Sequence, residues 1–340
     1  LIGFGLSAYI LSMWISNTAT TLMMLPMALS IIQMQDKKDV DVKDRFPLLL
    51  MLTVAYASSI GGMATLVGSP PNTQMAATLS ATYDLHISFV EWMCIGGPVS
   101  LILFLFFTLF FQYLLGKERA VPVKNEILQS NWTKPQKRVL LLFAFVVFLW
   151  IFRSNIVDWV QIEIKDATIA ILGAFLLFLI PSNQNESLLK WQDTVRIPWG
   201  ILVLFGGGIA LALSLEKSNV LQYLAANSEF LNQWSLVFIL LVVIVVSLFA
   251  TELMSNLALV SVLVPLVAVL AIQMGYDVFQ LTIPLTLAAS CAFMMPVSTP
   301  PNAIVFSSGK VTIGQMASIG FFLNIIAVLT LWGYCYFFLA

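Results

Sequence analysis

The chain has 340 residues, 60% of them hydrophobic and only 10% charged, with 16 basic and 17 acidic side chains and a formal net charge of −1. Soluble domains carry about 25% charged residues and must present much of their surface to water, so this composition excludes an aqueous globule and makes the bilayer the natural solvent. The neutral balance gives no footing for nucleic acid. One histidine, His86, and three scattered cysteines, Cys94, Cys291 and Cys335, predict neither a metal cluster nor a disulfide framework.

The sequence opens at Leu1, already inside an apolar stretch and without the basic region or cleavage site of a signal peptide. Further N-terminal sequence is therefore expected. A membrane helix needs about 20 mostly apolar residues. Residues 3–32 form an apolar stretch broken at Ser16-Asn17-Thr18, and residues 47–80 one broken at Gly68-Ser69-Pro70-Pro71-Asn72. Residues 92–115 follow as a full span, then 138–152 and 167–181 as short ones and 198–215 as another. Residues 234–272 break at Ser255-Asn256, residues 281–308 break at Ser298-Thr299-Pro300-Pro301-Asn302, and 312–338 is the last span.

The four breaks form an internal repeat. In each unit a hydroxyl residue (Ser12, Thr251) precedes a Ser-Asn pair (Ser16-Asn17, Ser255-Asn256), and a proline (Pro26, Pro265) follows it. Hydroxyl-Pro-Pro-Asn then recurs downstream, as Ser69 to Asn72 and Thr299 to Asn302. Duplicated broken apolar segments are the sequence pointer to a transporter binding site. If both Ser-Asn segments are re-entrant hairpins, the loops around 33–46, 117–138, 182–197 and Lys310 fall on one side of the membrane. That side then holds 13 of the 16 basic residues and is the cytoplasmic one. The repeats are thereby expected to be inverted, one hairpin entering from each side.

Such tips can bind ions. Carbonyl, Ser and Asn oxygens are hard ligands for a small cation, and the absence of a carboxylate cluster favours a monovalent one, Na⁺. Freed N–H groups at half-helix starts suit an anion. No Lys or Arg lies in any break, and bare charge in low dielectric costs several kcal/mol. A dianion therefore needs bound sodium to offset its charge. Glu252 is expected to pin the hairpin by accepting backbone N–H groups, in preference to acting as a proton carrier. Gly206-Gly207-Gly208 lacks the Lys-Ser/Thr of a phosphate loop and is expected to mark close helix packing. His86 is expected in an outer loop, and an intramembrane enzyme finds no base beside its serines.

The runs Ser16 to Pro26, Thr251 to Asn256 and Ser298 to Phe306 resemble the divalent anion/sodium symporter family, which includes sodium/dicarboxylate and sodium/citrate cotransporters. The resemblance spans essentially the whole chain. It implies an all-α polytopic membrane protein, an inverted-repeat transporter with two re-entrant helical hairpins and two broken transmembrane helices. It also implies a homodimer working by an elevator motion in the plasma (inner) membrane. Carried over, one sodium site is Ser12, Ser16, Asn17 and Gly68, and the other Thr251, Met254, Asn256 and Ser298, with Met254 and Ser298 contributing backbone carbonyls. The substrate contacts are Ser16, Asn17, Thr18, Ser69, Ser255, Asn256 and Thr299. Leu257 stands where the first unit has Thr18, which leaves C4-dicarboxylate, citrate and sulfate as alternative cargoes and anion exchange as a variant. Residues 1–116 and 234–340 are read as the two halves of the transport domain, and 117–233 as linker and scaffold.

Overall fold

The computed structural model describes residues 1–36, 45–116, 132–162, 164–182, 186–196, 199–218, 223 and 234–338. Most of the two basic loops expected on the cytoplasmic side, residues 37–44 and 117–131, lie outside the described residues. All regular elements described are helical. In chain order they are α1 (Ile2–Ser12), α2 (Asn17–Asp36), α3 (Phe46–Gly62), α4 (Pro70–Tyr83), α5 (Phe89–Leu115), α6 (Lys134–Ile151), α7 (Arg153–Val160), α8 (Asp166–Leu179), a 3₁₀ turn (Trp191–Arg196), α9 (Trp199–Lys217), α10 (Leu236–Ala250), α11 (Asn256–Gln273), α12 (Val278–Ala289), α13 (Pro300–Ser307) and α14 (Ile313–Phe338). Among the described residues α5, α11 and α14 are long and apolar enough to cross a membrane unaided.

The expected breaks are present, but two begin earlier than their motifs. α3 stops at Gly62 and α4 starts at Pro70, while α12 stops at Ala289 and α13 starts at Pro300. The restarts follow from proline chemistry. Proline is favoured in the first turn of a helix and drives the preceding residue to extended backbone. Ser69 (φ −135°, ψ 134°) and Thr299 (φ −138°, ψ 149°) adopt that conformation as N-caps. Pro26 and Pro265 lie inside α2 and α11, away from the tips.

The described residues gather into two compact units, one drawn from Leu1–Ile87, Trp92–Pro122 and Val203–Ala340, the other from Ser88–Glu91 and Val123–Leu202. In the first unit the broken helices are the core, with every residue from Leu49 to Gly62 and from Leu281 to Ala289 buried. α1 and α2 pack on α3, and α10 and α11 pack on α12. The halves interlock, because α4 packs on α11 and α12 while α13 packs on α2 and α3. Large apolar side chains stay exposed on α5 and α14, among them Leu105, Leu109, Phe322 and Leu329, as lipid-facing surfaces do.

Gly208 of α9 allows close packing, since a Cβ there would lie 2.6 Å from Gln74 Nε2 and 2.7 Å from Ser261 Oγ. Gly206 and Gly207 face open space, so the packing expectation narrows to one glycine.

In the second unit α6 opens with a capping box between Thr133 and Gln136. Arg153 pairs with Asp166 at 3.2 Å, and Asp166 Oδ2 accepts the Phe89 N–H at 2.8 Å. Phe89 stacks on Trp150 at 4.9 Å. α7 was not expected from the sequence; its eight residues have a mixed polar character with no apolar run to mark them.

Candidate ion and anion site

The helix pairs α1–α2 and α10–α11 are each interrupted at their Ser-Asn pair. α1 ends at Ser12 and α2 begins at Asn17, while α10 ends at Ala250 and α11 begins at Asn256. Across each turn the hydroxyl residue bonds the asparagine five positions on. Ser12 Oγ donates to Asn17 Oδ1 at 2.7 Å, and Thr251 Oγ1 donates to Asn256 Oδ1 at 2.7 Å.

The broken helices repeat a second device. Asn72 Nδ2 donates to Gly62 O at 3.1 Å and to Thr65 O at 2.8 Å, ten and seven residues back. Asn302 Nδ2 donates to Ala292 O and Met295 O, both at 3.0 Å and again ten and seven residues back. Both asparagines are fully buried. Each amide thus satisfies two carbonyls that the interrupted helix leaves without helical partners.

At the first tip four oxygen-bearing groups converge. The Asn17 carboxamide faces Ser12 Oγ at 2.7 Å, the Ser58 carbonyl at 3.1 Å and the Gly68 carbonyl at 3.2 Å. With its nitrogen turned inward it donates to all three; with its oxygen turned inward it accepts the Ser12 hydroxyl. Gly62 makes this approach possible, because a Cβ there would lie 2.2 Å from Asn17 Oδ1. The Gly68 N–H is held by Thr65 Oγ1 at 3.1 Å, and the Thr65 hydroxyl also bonds Met13 O.

At the second tip Thr251 Oγ1 lies 2.7 Å from Asn256 Oδ1 and 3.0 Å from Ala289 O. Three oxygens again meet. The cages are electrically neutral apart from Glu252, which is 4% exposed. Its carboxylate accepts the N–H groups of Phe293, Met294 and Met295 at 2.8, 2.9 and 3.0 Å and Asn324 Nδ2 at 2.8 Å. Glu252 thus accepts backbone N–H groups, as the sequence leads one to expect, and those groups tie its hairpin to the break after α12.

Of the residues expected at the first cation site, Ser12, Asn17 and Gly68 come together, whereas Ser16 is exposed and its hydroxyl accepts Ala19 N–H at 3.3 Å. At the second, Thr251 and Asn256 meet, Met254 is exposed at the tip, and Ser298 is buried with its hydroxyl donating to Met295 O at 2.6 Å. Among the expected substrate contacts, Ser255 is exposed and its hydroxyl accepts from Ala258 N–H at 3.2 Å. Thr299 Oγ1 accepts Asn302 N–H at 3.3 Å, Ser69 is buried, and Thr18 is half-buried in the first turn of α2. Leu257 is buried beside Asn256. The Ser58 and Ala289 carbonyls were missed because backbone ligands leave no residue signature. The bracing role of Asn72 and Asn302 could have been found from their place in both repeats.

Four helices start at these breaks, α2, α4, α11 and α13, and each places the positive end of its dipole there. Pro70, Pro71, Pro300 and Pro301 carry no N–H, so α4 and α13 offer a dipole with few donors. α2 and α11 begin with Asn and keep their N–H groups.

The family profile described as "Sodium:sulfate symporter transmembrane region" matches residues 1–338. The chain is 34% identical over 349 residues to the "Sodium-dependent dicarboxylate transporter SdcS" of Staphylococcus saprophyticus subsp. saprophyticus, covering 97% of this chain and 67% of that protein. It is also 34% identical over 347 residues to the protein of the same name from Staphylococcus aureus strain USA300, with the same coverage. The match runs through both hairpins and both broken helices, and so the chain belongs to the sodium:sulfate symporter family of integral, multi-pass membrane transporters.

Proposed function

We propose that the protein is a sodium-coupled symporter that imports a small divalent anion, a C4-dicarboxylate such as succinate, across the plasma (inner) membrane. The observation that carries this reading is the oxygen cage built twice, around Asn17 and around Asn256, with the same five-residue hydroxyl–amide contact. Such a cage suits a small hard cation. Ser12, Ser16, Asn17 and Gly68, together with the Ser58 carbonyl, hold one Na⁺; Thr251, Met254, Asn256 and Ser298, together with the Ala289 carbonyl, hold the other. Ser16, Asn17, Thr18, Ser69, Ser255, Asn256 and Thr299 contact the anion.

Coupling follows from charge. No Lys or Arg occurs in the breaks, and Glu252 adds negative charge. A dianion entering an empty site would meet only neutral dipoles, at a cost of several kcal/mol. Two sodium ions in the adjoining cages change that sign. The relatives' names, sodium-dependent dicarboxylate transporters, favour the C4 cargo. Leu257, apolar where the first unit has Thr18, favours a second reading in which citrate or sulfate is carried.

The same reading takes α1–α2 and α10–α11 as re-entrant hairpins entering from opposite sides. Residues 1–116 and 234–340 form the moving domain, 117–233 provide linker and scaffold, and two copies assemble as a dimer for an elevator motion. Uptake of radiolabelled succinate, citrate and sulfate by proteoliposomes, with and without a sodium gradient, tests it. Saturable, sodium-driven uptake of succinate above the other two is the expected result; uptake indifferent to sodium would overturn the coupling.

A further inference from the structure

The two repeats build the same hydroxyl–amide contact and the same asparagine brace, yet they differ in charge. The residue after Thr251 is Glu252, while the residue after Ser12 is Met13. In the first repeat the corresponding contacts are neutral: the Met13 carbonyl accepts the Thr65 hydroxyl, and the Met63 carbonyl accepts Trp92 Nε1 at 3.1 Å. The first break is held in shape without a carboxylate, so holding the fold does not by itself call for one in the second.

Glu252 receives four neutral donors and no cation. Its partners are three consecutive backbone N–H groups and the Asn324 amide. None of the ion pairs found among the described residues includes it. Those four bonds fix its direction without cancelling its charge. The loop it grips is also clamped from the first repeat, where Tyr56 Oη donates to Phe293 O at 2.6 Å. The second repeat therefore carries a carboxylate on the residue next to Thr251, held by the break after α12, where the first repeat has Met13.

We propose that Glu252 is a positioning residue that makes the second cation cage anionic, so that this cage binds sodium more tightly than the first and fills before it. The inference rests on the sodium-site reading above. Charge in a low-dielectric interior acts strongly on a neighbouring cation. Asn324 tempers that field by donating to the carboxylate.

The test is direct ²²Na⁺ binding to the purified full chain in lipid nanodiscs without substrate, for wild type, Glu252→Gln, Glu252→Asp and Asn324→Ala. Glu252→Gln should raise the half-saturating sodium concentration of the tighter class by about tenfold or more, equivalent to about 1.4 kcal/mol. Glu252→Asp should recover most of that loss. Asn324→Ala should leave sodium binding as tight as wild type or tighter, since it exposes the carboxylate charge. A brace with no electrostatic part would weaken in both Glu252→Gln and Asn324→Ala, and that outcome overturns the proposal. Wild-type binding retained in Glu252→Gln overturns it as well. If Glu252→Gln does not fold, Asn324→Ala decides alone, weaker binding counting against the proposal. Absence of any saturable sodium binding to wild type would instead remove the sodium-site reading on which it stands.

Discussion

Replacing Asn302 with alanine removes an amide that donates to two buried carbonyls at 3.0 Å each, those of Ala292 and Met295. Met295 O keeps the Ser298 hydroxyl as a donor at 2.6 Å, so the loss falls mainly on Ala292 O, at a site that is fully buried. A hydrogen bond contributes about 1 kcal/mol net, and a buried group left unpaired costs about 1–3 kcal/mol. One stranded carbonyl and one further lost bond give a loss of about 2–4 kcal/mol. Polar bonds inside membrane bundles average nearer 0.6 kcal/mol in measured cycles, which places the expectation toward the low end, about 2 kcal/mol. For domains of 150–250 residues each kcal/mol moves Tm by about 2–4 °C, so a drop of about 4–8 °C is expected. Asn72→Ala removes the corresponding pair to Gly62 and Thr65 and should cost at least as much. Thermal unfolding of both variants in detergent, followed by tryptophan fluorescence, measures this directly. If one variant lost stability while the other stayed within about 1 °C of wild type, well below the shift expected per kcal/mol, the equivalence of the two braces would be wrong.

Asn17→Ala and Asn256→Ala should each abolish sodium-driven uptake, because each amide is assigned to a cation and to the anion; near-normal uptake in either would remove that residue from the site. Gly62→Ala places a methyl 2.2 Å from Asn17 Oδ1. It should cost about 1–3 kcal/mol of stability through overpacking and raise the sodium concentration for half-maximal uptake, and a variant with wild-type sodium dependence would show that the Asn17 pose is irrelevant. Leu257→Thr should alter the ranking of succinate, citrate and sulfate more than the sodium requirement, and an unchanged ranking across the three would place Leu257 outside the anion pocket.

Much of this architecture is legible in the sequence because its breakers have single meanings. Pro-Pro can only restart a helix, and both restarts, at Pro70 and Pro300, fall where the motif puts them. The helix ends are less visible. α3 stops seven residues before Ser69, within the apolar run Met63 to Val67, because the Asn72 amide and the Thr65 hydroxyl engage the carbonyls released there and the Gly68 N–H. Those bonds are set by tertiary placement, and locally Gly61, Gly62 and Gly68 only loosen the run. The contribution of Ser58 is likewise hidden, since its carbonyl, not its side chain, faces Asn17. Asn324 shows in the sequence only as a polar residue within an apolar helix, and nothing there names Glu252, 72 positions away, as its partner.

The central claim is that the anion site comes into being only when cations occupy the two cages. Equilibrium binding of ¹⁴C-succinate to the purified protein, with sodium replaced stepwise by choline at constant ionic strength, measures it. The account predicts saturable binding in sodium that disappears in choline. Succinate bound with equal affinity in both would contradict it.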